Sequence, residues 1–557
     1  MTTDFQKLRF GHKRAPGQDA DAPAHHPVIV VGAGPAGLSL AIDLAQNGVR
    51  TLLLDDDDKL SAGSRAICFA KRTLEIWDRL GCGDRMVDKG VSWNVGKVFF
   101  GEEMVYAFDL LADSGHRRPA FINLQQYYAE GFLLERALQL PGLEIRWQNK
   151  VTGLSQTPSG AELTVDTPDG PYKLTGGYVV AADGARSSIR GLMGLESKGR
   201  SFRDRFLIAD IRMTADFPAE RWFWFDPPFH RNQSALLHRQ PDNVWRLDFQ
   251  LGWNADPVVE RQPENIIPRV KAMLGDQAEF ELVWCSVYNF SCQRMEKFRH
   301  GRVLFIGDAA HTVSPFGARG ANGAVQDADN LAWKLKLVLQ DLGPDRLLDS
   351  YAQEREFAAD ADILNSSRST DFITPKSAVS RLFRDATLKL SRDCAFARRL
   401  VNSGRLSVPA TLLRSPLNSP DCDAFSGGMV PGAPAADAPI FKDGTQGWFL
   451  QQAGDRFTCL VFQAGEPIPE AVADALSSMT GAAIPVATTI VAPRDASLEK
   501  INGCATIVDS EGLLSQRFDA QPGTVYLLRP DQHVCARWRK LDPSAVLAAV
   551  ARATCND

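Results

Sequence analysis

Residues 26–58 read HPVIVVGAGPAGLSLAIDLAQNGVRTLLLDDDD, and this stretch decides how the N-terminal part of the chain folds. The run from 27 to 31 is short and rich in β-branched residues, which indicates a buried parallel strand. A glycine-rich turn follows, and the apolar segment from about 35 to 47 predicts a helix closed by Asn47-Gly48. A second strand, TLLLD, ends at Asp55. The stretch therefore predicts a strand–helix–strand unit with parallel strands.

The turn of this unit has the spacing GxGxxG. This spacing is a weak signal alone, but here it follows a strand, opens a helix and precedes an acid, Asp55, at the end of the next strand. Gly34 lets a pyrophosphate approach the helix N-terminus, where free N–H groups favour anions. Asp55 is expected to accept hydrogen bonds from an unphosphorylated ribose, which favours FAD or NAD. The predicted cofactor-binding residues of this unit are Gly32, Gly34, Pro35, Ala36, Gly37 and Asp55.

Composition excludes several classes of protein. At 557 residues the chain is long enough for about two to four domains. Its net charge of −5 predicts no nucleic-acid or membrane partner, and its apolar runs fall short of the ~20 residues of a membrane span. The ten cysteines include no CxxC, which argues against a disulfide framework or a metal site and fits a reducing compartment. We therefore expect a cytoplasmic protein with a polar arm at residues 1–25.

Two further motifs of small residues follow apolar strands. ADGARSSIR (182–190) comes after YVVAA, and GDAAHTVSPFGARGAN (307–322) comes after VLFIG. Three such motifs at strand ends, far apart in sequence, suggest one long cofactor that lies across several strands. Between the second and third motifs the chain is strand-rich and aromatic, and residues 405–438 have the Pro, Ser, Asp and Gly content of a linker.

In combination, these motifs and the following DADNLAWKL resemble the single-component FAD-dependent aromatic hydroxylases, typified by para-hydroxybenzoate hydroxylase and phenol hydroxylase. The resemblance covers nearly the whole chain. It implies an α/β fold with a Rossmann-type FAD-binding domain, an inserted β-sheet substrate domain, and a thioredoxin-like C-terminal domain, whose segments PGAPAADAPI and VYLLRPDQHVCARWR are similar to those of the larger members. The expected domains are the FAD-binding domain at 26–190 and 295–365, the middle sheet at 191–294, a helical segment and linker at 366–430, and the thioredoxin-like domain at 431–557.

The resemblance also implies roles for single residues. Asp308 would bind a ribityl hydroxyl of FAD, and Arg65 would lie near the flavin phosphates and ribityl chain. Gln126 matches a family glutamine that contacts the flavin chain, with Gln125 as the alternative. The motif that contains Asp183 and Arg186 is associated with both the FAD pyrophosphate and NAD(P)H.

The third motif would lie along the edge and face of the flavin ring, where a larger side chain would push the ring away. Its predicted contacts run from Pro315 to Gly320, and the helix that begins near Ala321 would point its N-terminus at the ring, with a side-chain hydrogen bond from Asn322. Many members have Gly-Gln where this chain has Ala318-Arg319, and the direction of that arginine stays open. For His311 we favour a structural role over that of a catalytic base.

Substrate contacts are expected from the middle sheet. In VWRLDFQLG, alternation places Trp245, Leu247 and Phe249 on one face and Arg246, Asp248 and Gln250 on the other. Tyr288 lies on the strand before the third motif and is a candidate to hydrogen-bond a phenol. The predicted catalytic residues are Tyr288, Arg246 and Pro315. For the polar ones, an outward-facing or structurally paired side chain is the alternative.

The implied activity is hydroxylation of a phenolic ring with NADH or NADPH and O2, through a flavin C4a-hydroperoxide. The first alternative is a flavin monooxygenase that modifies a larger polycyclic phenol or an antibiotic. A flavin dehydrogenase without oxygen insertion and a non-enzymatic redox partner are weaker, and the C-terminal segment has no CxxC to support the latter. The expected partner is a small aromatic molecule, and a homodimer is possible.

Overall fold

The computed structural model describes residues 4–15, 17–20, 22–61, 66–401, 406–464, 468–494 and 501–557. Up to residue 192 the strands are β1 (Ala24–Val31), β2 (Thr51–Leu54), β3 (Cys68–Ala70), β4 (Val91–Trp93), β5 (Val95–Phe100), β6 (Glu103–Asp109), β7 (Phe121–Asn123), β8 (Leu143–Arg146), β9 (Lys150–Thr157), β10 (Gly160–Asp166) and β11 (Tyr172–Ala181). The helices of this part are α1 (Pro35–Gln46), α2 (Lys71–Arg79), α3 (Gly83–Lys89), α4 (Gln126–Ala137) and α5 (Ser188–Leu192).

The middle and C-terminal parts continue the alternation of strands and helices. Their strands are β12 (Ser197–Arg212), β13 (Arg221–Phe225), β14 (Ser234–Arg239), β15 (Val244–Leu251), β16 (Glu281–Met295), β17 (Arg299–His300), β18 (Val303–Phe305), β19 (His311–Thr312), β20 (Pro439–Lys442), β21 (Thr445–Trp448), β22 (Phe457–Phe462), β23 (Val486–Pro493), β24 (Cys504–Asp509), β25 (Val525–Leu528) and β26 (Val534–Trp538). Their helices are α6 (Pro257–Glu260), α7 (Pro263–Leu274), α8 (Gly320–Leu339), α9 (Leu347–Ile373), α10 (Ala378–Ser391), α11 (Ala395–Val401), α12 (Glu470–Met479), α13 (Leu513–Arg517) and α14 (Pro543–Ala553).

The first sheet carries the parallel strands that the sequence predicts. Its order is β17-β18-β11-β1-β2-β8, and β10 and β9 extend it from β11. Strands β18, β11, β1, β2 and β8 are parallel to one another, whereas β17 is antiparallel to β18 and β10 is antiparallel to β11. Their apolar side chains are buried, and α1 packs against α8 over the sheet. A parallel sheet puts the carboxyl ends of its strands at one edge, and that edge holds the three sequence motifs.

The middle sheet has the order β19-β16-β12-β15-β14-β13-β5-β6. Strands β5 and β6, which we had assigned with residues 26–190, belong to this sheet because β5 pairs in parallel with β13. The predicted alternation in β15 is present. One face, with Trp245, Leu247 and Phe249, packs on Ile266 and Val270 of α7.

The C-terminal part forms a third sheet, of seven strands in the order β21-β20-β24-β23-β22-β25-β26. Its α/β character agrees with the prediction. None of the helices in the described ranges combines the length and the apolar character that a membrane crossing needs.

A buried set of charges, which we call the interface network, joins the turn between β25 and β26 to the first domain. Arg529 donates to Glu354 of α9 at 2.5 Å and to Asp531 at 2.6 Å, and Lys334 of α8 donates to Glu354 at 2.6 Å. These four side chains are fully enclosed. The network continues through the pairs Arg72–Asp329, Arg79–Asp329 and Arg79–Asp43.

Candidate active site

Four strand ends form one continuous edge in the first sheet. Gly32 N–H donates to the carbonyl of Leu54, and Ala182 N–H donates to the carbonyl of Val31. Ile306 N–H then donates to the carbonyl of Ala181. At a strand spacing of about 4.8 Å, the ends of β18, β11, β1 and β2 span roughly 15 Å. This edge therefore offers a long, straight binding line rather than a single pocket.

The first motif closes tightly on this edge. Gly32 has φ of 109°, and a Cβ there would lie 2.4 Å from the carbonyl oxygen of Ala182. A Cβ on Gly37 would lie 1.9 Å from the carbonyl oxygen of Gly32. Gly34, the residue before α1, has no atom within 4 Å of such a Cβ. Two glycines are thus required by the protein's own packing, and the third faces open space at the helix start, where an anion is favoured.

Asp55 turns towards this glycine loop. Its carboxylate accepts the N–H of Ala33 at 2.6 Å and that of Asp57 at 2.9 Å. Burial raises the pKa of Asp55 to about 6, although these backbone hydrogen bonds oppose the shift. The side chain is therefore fixed at the end of β2 in the position predicted for a ribose contact.

The second motif follows β11. Asp183 accepts the N–H of Ile189 and the hydroxyl of Ser188 through Oδ2, while its Oδ1 is buried without a hydrogen-bond partner. Arg190, which the sequence analysis did not select, donates to the carbonyl of Ala309 at 2.8 Å and so joins the second motif to the third. Arg186 is exposed. Its position in the short turn before α5 leaves the guanidinium accessible from solvent.

A buried ion pair between His311 and Asp327 fixes the third motif to α8. His311 Nε2 lies 2.7 Å from Asp327 Oδ2 of α8, which also accepts the N–H of Gly307 at 2.9 Å. Arg355 donates to the other oxygen of Asp327 at 2.6 Å. Burial alone would lower the pKa of His311, but the Asp327 carboxylate overcomes it and raises that pKa. These contacts agree with the structural role favoured for His311, whereas Asp308 is exposed.

The loop 315–319 resolves the direction of Arg319. The guanidinium is buried, lies over Gly317, and pairs with Asp362 of α9 at 3.5 Å. Ala318 has φ of 52°, a left-handed conformation that favours glycine. The loop thus takes, with alanine, a backbone shape that glycine adopts more readily. Pro315 is exposed, and its carbonyl accepts the N–H of Ala318 at 3.0 Å.

Asn322 is placed differently from its predicted use. Its Oδ1 accepts the N–H of Ala70 at 2.8 Å and the hydroxyl of Thr73 at 2.6 Å, and its Nδ2 donates to the carbonyls of Cys68 and Ala318. The side-chain amide therefore ties the start of α8 to β3 and α2. The flavin contacts expected of Gly320 and Ala321 stay predictions.

The two candidate glutamines point in different directions. Gln126 Oε1 accepts the N–H of Ala66 at 3.0 Å, and its Nε2 donates to Ser61. Gln125 is buried and donates to the carbonyl of Pro241 in the middle sheet. Gln126 therefore contacts Ser61 and Ala66, and Arg65 lies outside the described residues.

A packed cluster of aromatic rings, which we call the aromatic chamber, joins the third motif to the middle sheet. Phe316 of the motif packs on Phe206 at 4.8 Å and on Phe290 at 5.3 Å between ring centroids. Tyr288 packs edge-on against Phe290 at 5.1 Å, and its hydroxyl has no hydrogen bond to a described residue. Burial, with a smaller contribution from Asp248, raises the pKa of Tyr288, so the phenol stays protonated and able to donate.

Charged side chains line the polar end of this chamber. Arg246 forms a two-point ion pair with Asp210 of β12, with both distances 2.9 Å. Burial alone would lower the pKa of Arg246, but the Asp210 carboxylate outweighs burial and raises that pKa. Asp248 on the same face is half-buried, and its Oδ1 has no hydrogen-bond partner. The sequence placed Arg246 and Asp248 on this face correctly but could not tell which of them would be paired.

These residues fit FAD. Gly34 leaves space at a helix N-terminus, Asp55 and Asp308 offer carboxylates at two strand ends, and Asp183 has a buried oxygen without a partner between them. The third motif lies at the end of this row of strand-end residues, beside the aromatic chamber. When bound, FAD supplies the redox and oxygen-activating chemistry, which the side chains of the chamber do not.

Comparisons with known proteins agree with this geometry. A family model described as FAD binding domain matches residues 25–366. A flavin-dependent monooxygenase of Mycobacteroides abscessus is 31% identical over 349 residues, 59% of this chain and 70% of that protein. The 3-(3-hydroxy-phenyl)propionate/3-hydroxycinnamic acid hydroxylase of Paraburkholderia xenovorans is 28% identical, over 65% of this chain and 58% of that one.

A solved structure extends the likeness in fold to nearly the whole chain. The flavin-dependent monooxygenase PieE, determined with FAD and substrate, superimposes with a TM-score of 0.80 at 22% identity and covers 96% of this chain and 100% of its own. The matched family model spans more than half of the sequence, and it includes all three cofactor motifs. This chain belongs to the FAD-binding-domain family of flavin-dependent monooxygenases.

Proposed function

We propose that this protein hydroxylates a phenolic ring, with NADH or NADPH as the reductant and O2 as the oxygen source. One observation carries the proposal: an aromatic chamber is built directly on the loop predicted to hold the flavin ring, through the contacts of Phe316 with Phe206 and Phe290. A flat, electron-rich ring held beside the flavin would pack against these aromatic side chains.

Within the chamber, Tyr288 is the proposed group that orients the phenol, since its protonated hydroxyl has no hydrogen bond to a described residue. Arg246 is proposed to act without direct contact to the phenol, because its two-point ion pair with Asp210 already fixes its guanidinium. Pro315 shapes the loop beside the ring. The exposed Arg186 is the proposed contact for the visiting nicotinamide coenzyme.

The test is consumption of NAD(P)H and O2 by the holoenzyme, with product mass measured under ¹⁸O2. A phenol should speed NAD(P)H oxidation by about tenfold or more, equivalent to ~1.4 kcal/mol, and one ¹⁸O should appear ortho or para to its hydroxyl. The Tyr288→Phe variant should retain FAD and lose most of this acceleration. Fast oxidation without a phenol, or a product without ¹⁸O, would exclude the proposal.

A larger polycyclic phenol would use the same cofactor site, so the substrate panel must include both sizes. A thioredoxin-like fold for residues 431–557, a cytoplasmic location and a homodimer stay predictions.

A further inference from the structure

The helices α10 and α11 turn large apolar side chains towards solvent. On α10 these side chains recur with the three- and four-residue spacing of one helix face, and on α11 they are four residues apart. Each is between 44% and 77% exposed. Single exposed apolar residues are common, but a row of them on one helix face indicates an interaction surface. We call this row the outer face, and its members are Val379, Leu382, Phe383, Leu390, Phe396 and Leu400.

The inner side of α10 is polar for a buried helix face. Its buried residues are Arg384, Thr387, Leu388 and Ser391. The two hydroxyls donate to carbonyls one turn earlier, and Arg384 donates to Asp385 at 2.8 Å, so these groups are satisfied within the helix. Of the four, Leu388 is the one that packs into the aromatic chamber. The amphipathic pattern of α10 is therefore inverted, since most of its large apolar side chains face solvent.

Positive charge accompanies the outer face. From 378 to 401 the sequence has six arginines and lysines and two aspartates, a local net charge of +4 in a chain whose total is −5. Lys389 is two helical turns from Leu382, and Arg399 is one turn from Phe396. Both cations are exposed, and neither forms an ion pair with a residue in the described ranges. The charge of the whole chain, from which we expected no membrane partner, does not reveal this local excess.

The charge of the outer face distinguishes between two possible occupants. A two-fold interface sets a patch against itself, so a second copy of this chain would bring Lys389 and Arg399 towards the same cations of its partner. An anionic lipid surface instead offers negative charge directly above an apolar layer. Leucine and phenylalanine flanked by lysine and arginine are also the composition of helices that lie in a membrane interface.

We propose that the outer face docks on an anionic lipid bilayer, with α10 and α11 in the plane of its surface. The apolar side chains enter the boundary between headgroups and acyl chains to a depth of about 5–10 Å, and Lys389 and Arg399 contact the lipid phosphates. Because Leu388 on the inner side of α10 packs into the aromatic chamber, docking brings the proposed substrate site close to the lipid. The inference does not depend on the proposed hydroxylation.

The experiment is flotation of the FAD-loaded protein with unilamellar vesicles. One set contains phosphatidylcholine alone, and the other contains equal parts of phosphatidylcholine and phosphatidylglycerol. We expect at least about tenfold tighter binding to the anionic set, and loss of this preference at about 1 M NaCl, where the Debye length falls to about 3 Å. Leu382→Ser/Phe383→Ser should weaken binding to anionic vesicles by about tenfold or more, because two inserted side chains are lost. Lys389→Gln/Arg399→Gln should reduce the preference for anionic lipid.

Two control variants carry the same kinds of change elsewhere on the surface. Val258→Ser/Val259→Ser removes two exposed apolar side chains from α6, and Lys271→Gln/Arg552→Gln removes one exposed lysine and one exposed arginine. Both should bind vesicles as the wild type does, although the second has the same total charge as Lys389→Gln/Arg399→Gln. FAD content and urea unfolding establish that every variant is folded.

No binding to anionic vesicles, equal binding to the two sets, or unchanged binding of Leu382→Ser/Phe383→Ser would each overturn the inference. Sedimentation velocity without lipid tests the other occupant. A wild-type dimer that becomes a monomer in Leu382→Ser/Phe383→Ser would assign the outer face to a second copy of this chain and would also overturn the inference. The proposed hydroxylation is measured on dissolved phenols without lipid, so the failure of one proposal does not decide the other.

Discussion

Two buried groups of charges in this protein are built in opposite ways. In the interface network every guanidinium has a carboxylate partner, and Arg529 has two, Glu354 and Asp531. On the middle sheet, the half-buried Arg221 and Asp248 have no ion-pair partner among the described residues. The two groups also differ in exposure, since the interface network is enclosed whereas Arg221 and Asp248 are half-buried.

The comparison separates structural from ligand-binding charges. A buried charge is tolerated when its partner is supplied by the fold, and its removal then leaves the partner unpaired. A buried charge that the fold leaves alone destabilises the empty protein and stabilises the complex with a ligand of opposite charge. We therefore expect substitutions in the interface network to lower stability, and substitutions of Arg221 or Asp248 to cost the folded protein less.

The largest effect is expected from Glu354→Gln. This change leaves Lys334 and Arg529 facing one neutral amide in an enclosed site, and should cost about 3–5 kcal/mol. Urea unfolding of the holoenzyme should show an earlier transition, with unchanged turnover per folded molecule below it.

Arg552→Met on the exposed side of α14 is the control, and it should unfold like the wild type. The double variant Lys334→Met/Glu354→Met should be less damaging than Glu354→Gln, since it removes a cation together with its anion. If Glu354→Gln unfolds at the same urea concentration as the wild type, ion pairing does not account for the stability that the interface network provides.

Asp55→Ala is expected to weaken FAD binding by about 1–3 kcal/mol, because hydrogen bonds to a charged, half-buried carboxylate are lost. The measurement is a titration of FAD-depleted protein with FAD, followed by flavin fluorescence. The exposed neighbour Asp56 supplies the control variant Asp56→Ala. Equal affinity in Asp55→Ala and wild type would contradict the ribose contact.

The affinity should also depend on pH. The pKa of Asp55 is raised to about 6 by burial, so the carboxylate that accepts hydrogen bonds is present above pH 6 and is lost as the pH falls below it. FAD affinity should therefore fall by up to about tenfold per unit below pH 6. The Asp55→Asn variant should lack this part of the pH dependence.

Local patterns predicted the cofactor edge well. The glycine spacing located α1 and the ends of β1 and β2, because a tight turn and a helix start depend on neighbouring residues. The third motif located the start of α8 for the same reason. Asn322 was assigned to the flavin because a small polar residue at a helix start looks available, and only the packing of β3 against α8 shows that its amide is in use.

Strand pairing between distant parts of the chain decides the features that could not be predicted from the sequence. Strands β5 and β6 join the middle sheet through β13, more than a hundred residues away in the chain. Alternation placed Arg246 and Asp248 on one face, but the register of β12 decides that Asp210 reaches only the former. Arg221 could have been noticed as the charge in the aromatic run RWFWF, although its lack of a partner is visible only in three dimensions.

A smaller effect, in this case an increase in stability, is expected from Asp248→Asn. Burial raises the pKa of Asp248 to about 6, so the folded state favours the protonated form. The stability that this protonation provides is present below about pH 4 and is lost as the pH rises through 6. At pH 7 the variant should therefore be more stable than the wild type by about 1–2 kcal/mol, and the difference should vanish near pH 4. Urea unfolding at both pH values measures it, and a destabilised variant at pH 7 would mean that Asp248 has a structural partner.

The smallest effect is expected from the cysteines of the C-terminal part. Cys459 and Cys535 are fully buried, and burial raises the pKa of each thiol to about 12. Burial also raises the pKa of Cys504 and Cys555, which are half-buried. Because the thiolate is the reactive form, none of the four has the chemistry of a redox thiol near neutral pH.

Replacing Cys459 and Cys535 with Ala, and Cys504 and Cys555 with Ser, should therefore leave turnover per folded molecule within about twofold of the wild type, apart from a small packing cost in the core. Cys459 and Cys535 belong to the buried core of this part, and Cys504 and Cys555 pack against that core. Iodoacetamide treatment of the native enzyme provides the matched measurement, because it should leave NAD(P)H oxidation unchanged in both the wild type and the variant. A loss of activity that follows modification of any of the four would show that the C-terminal sheet takes part in electron transfer, and would return the redox-partner alternative to consideration.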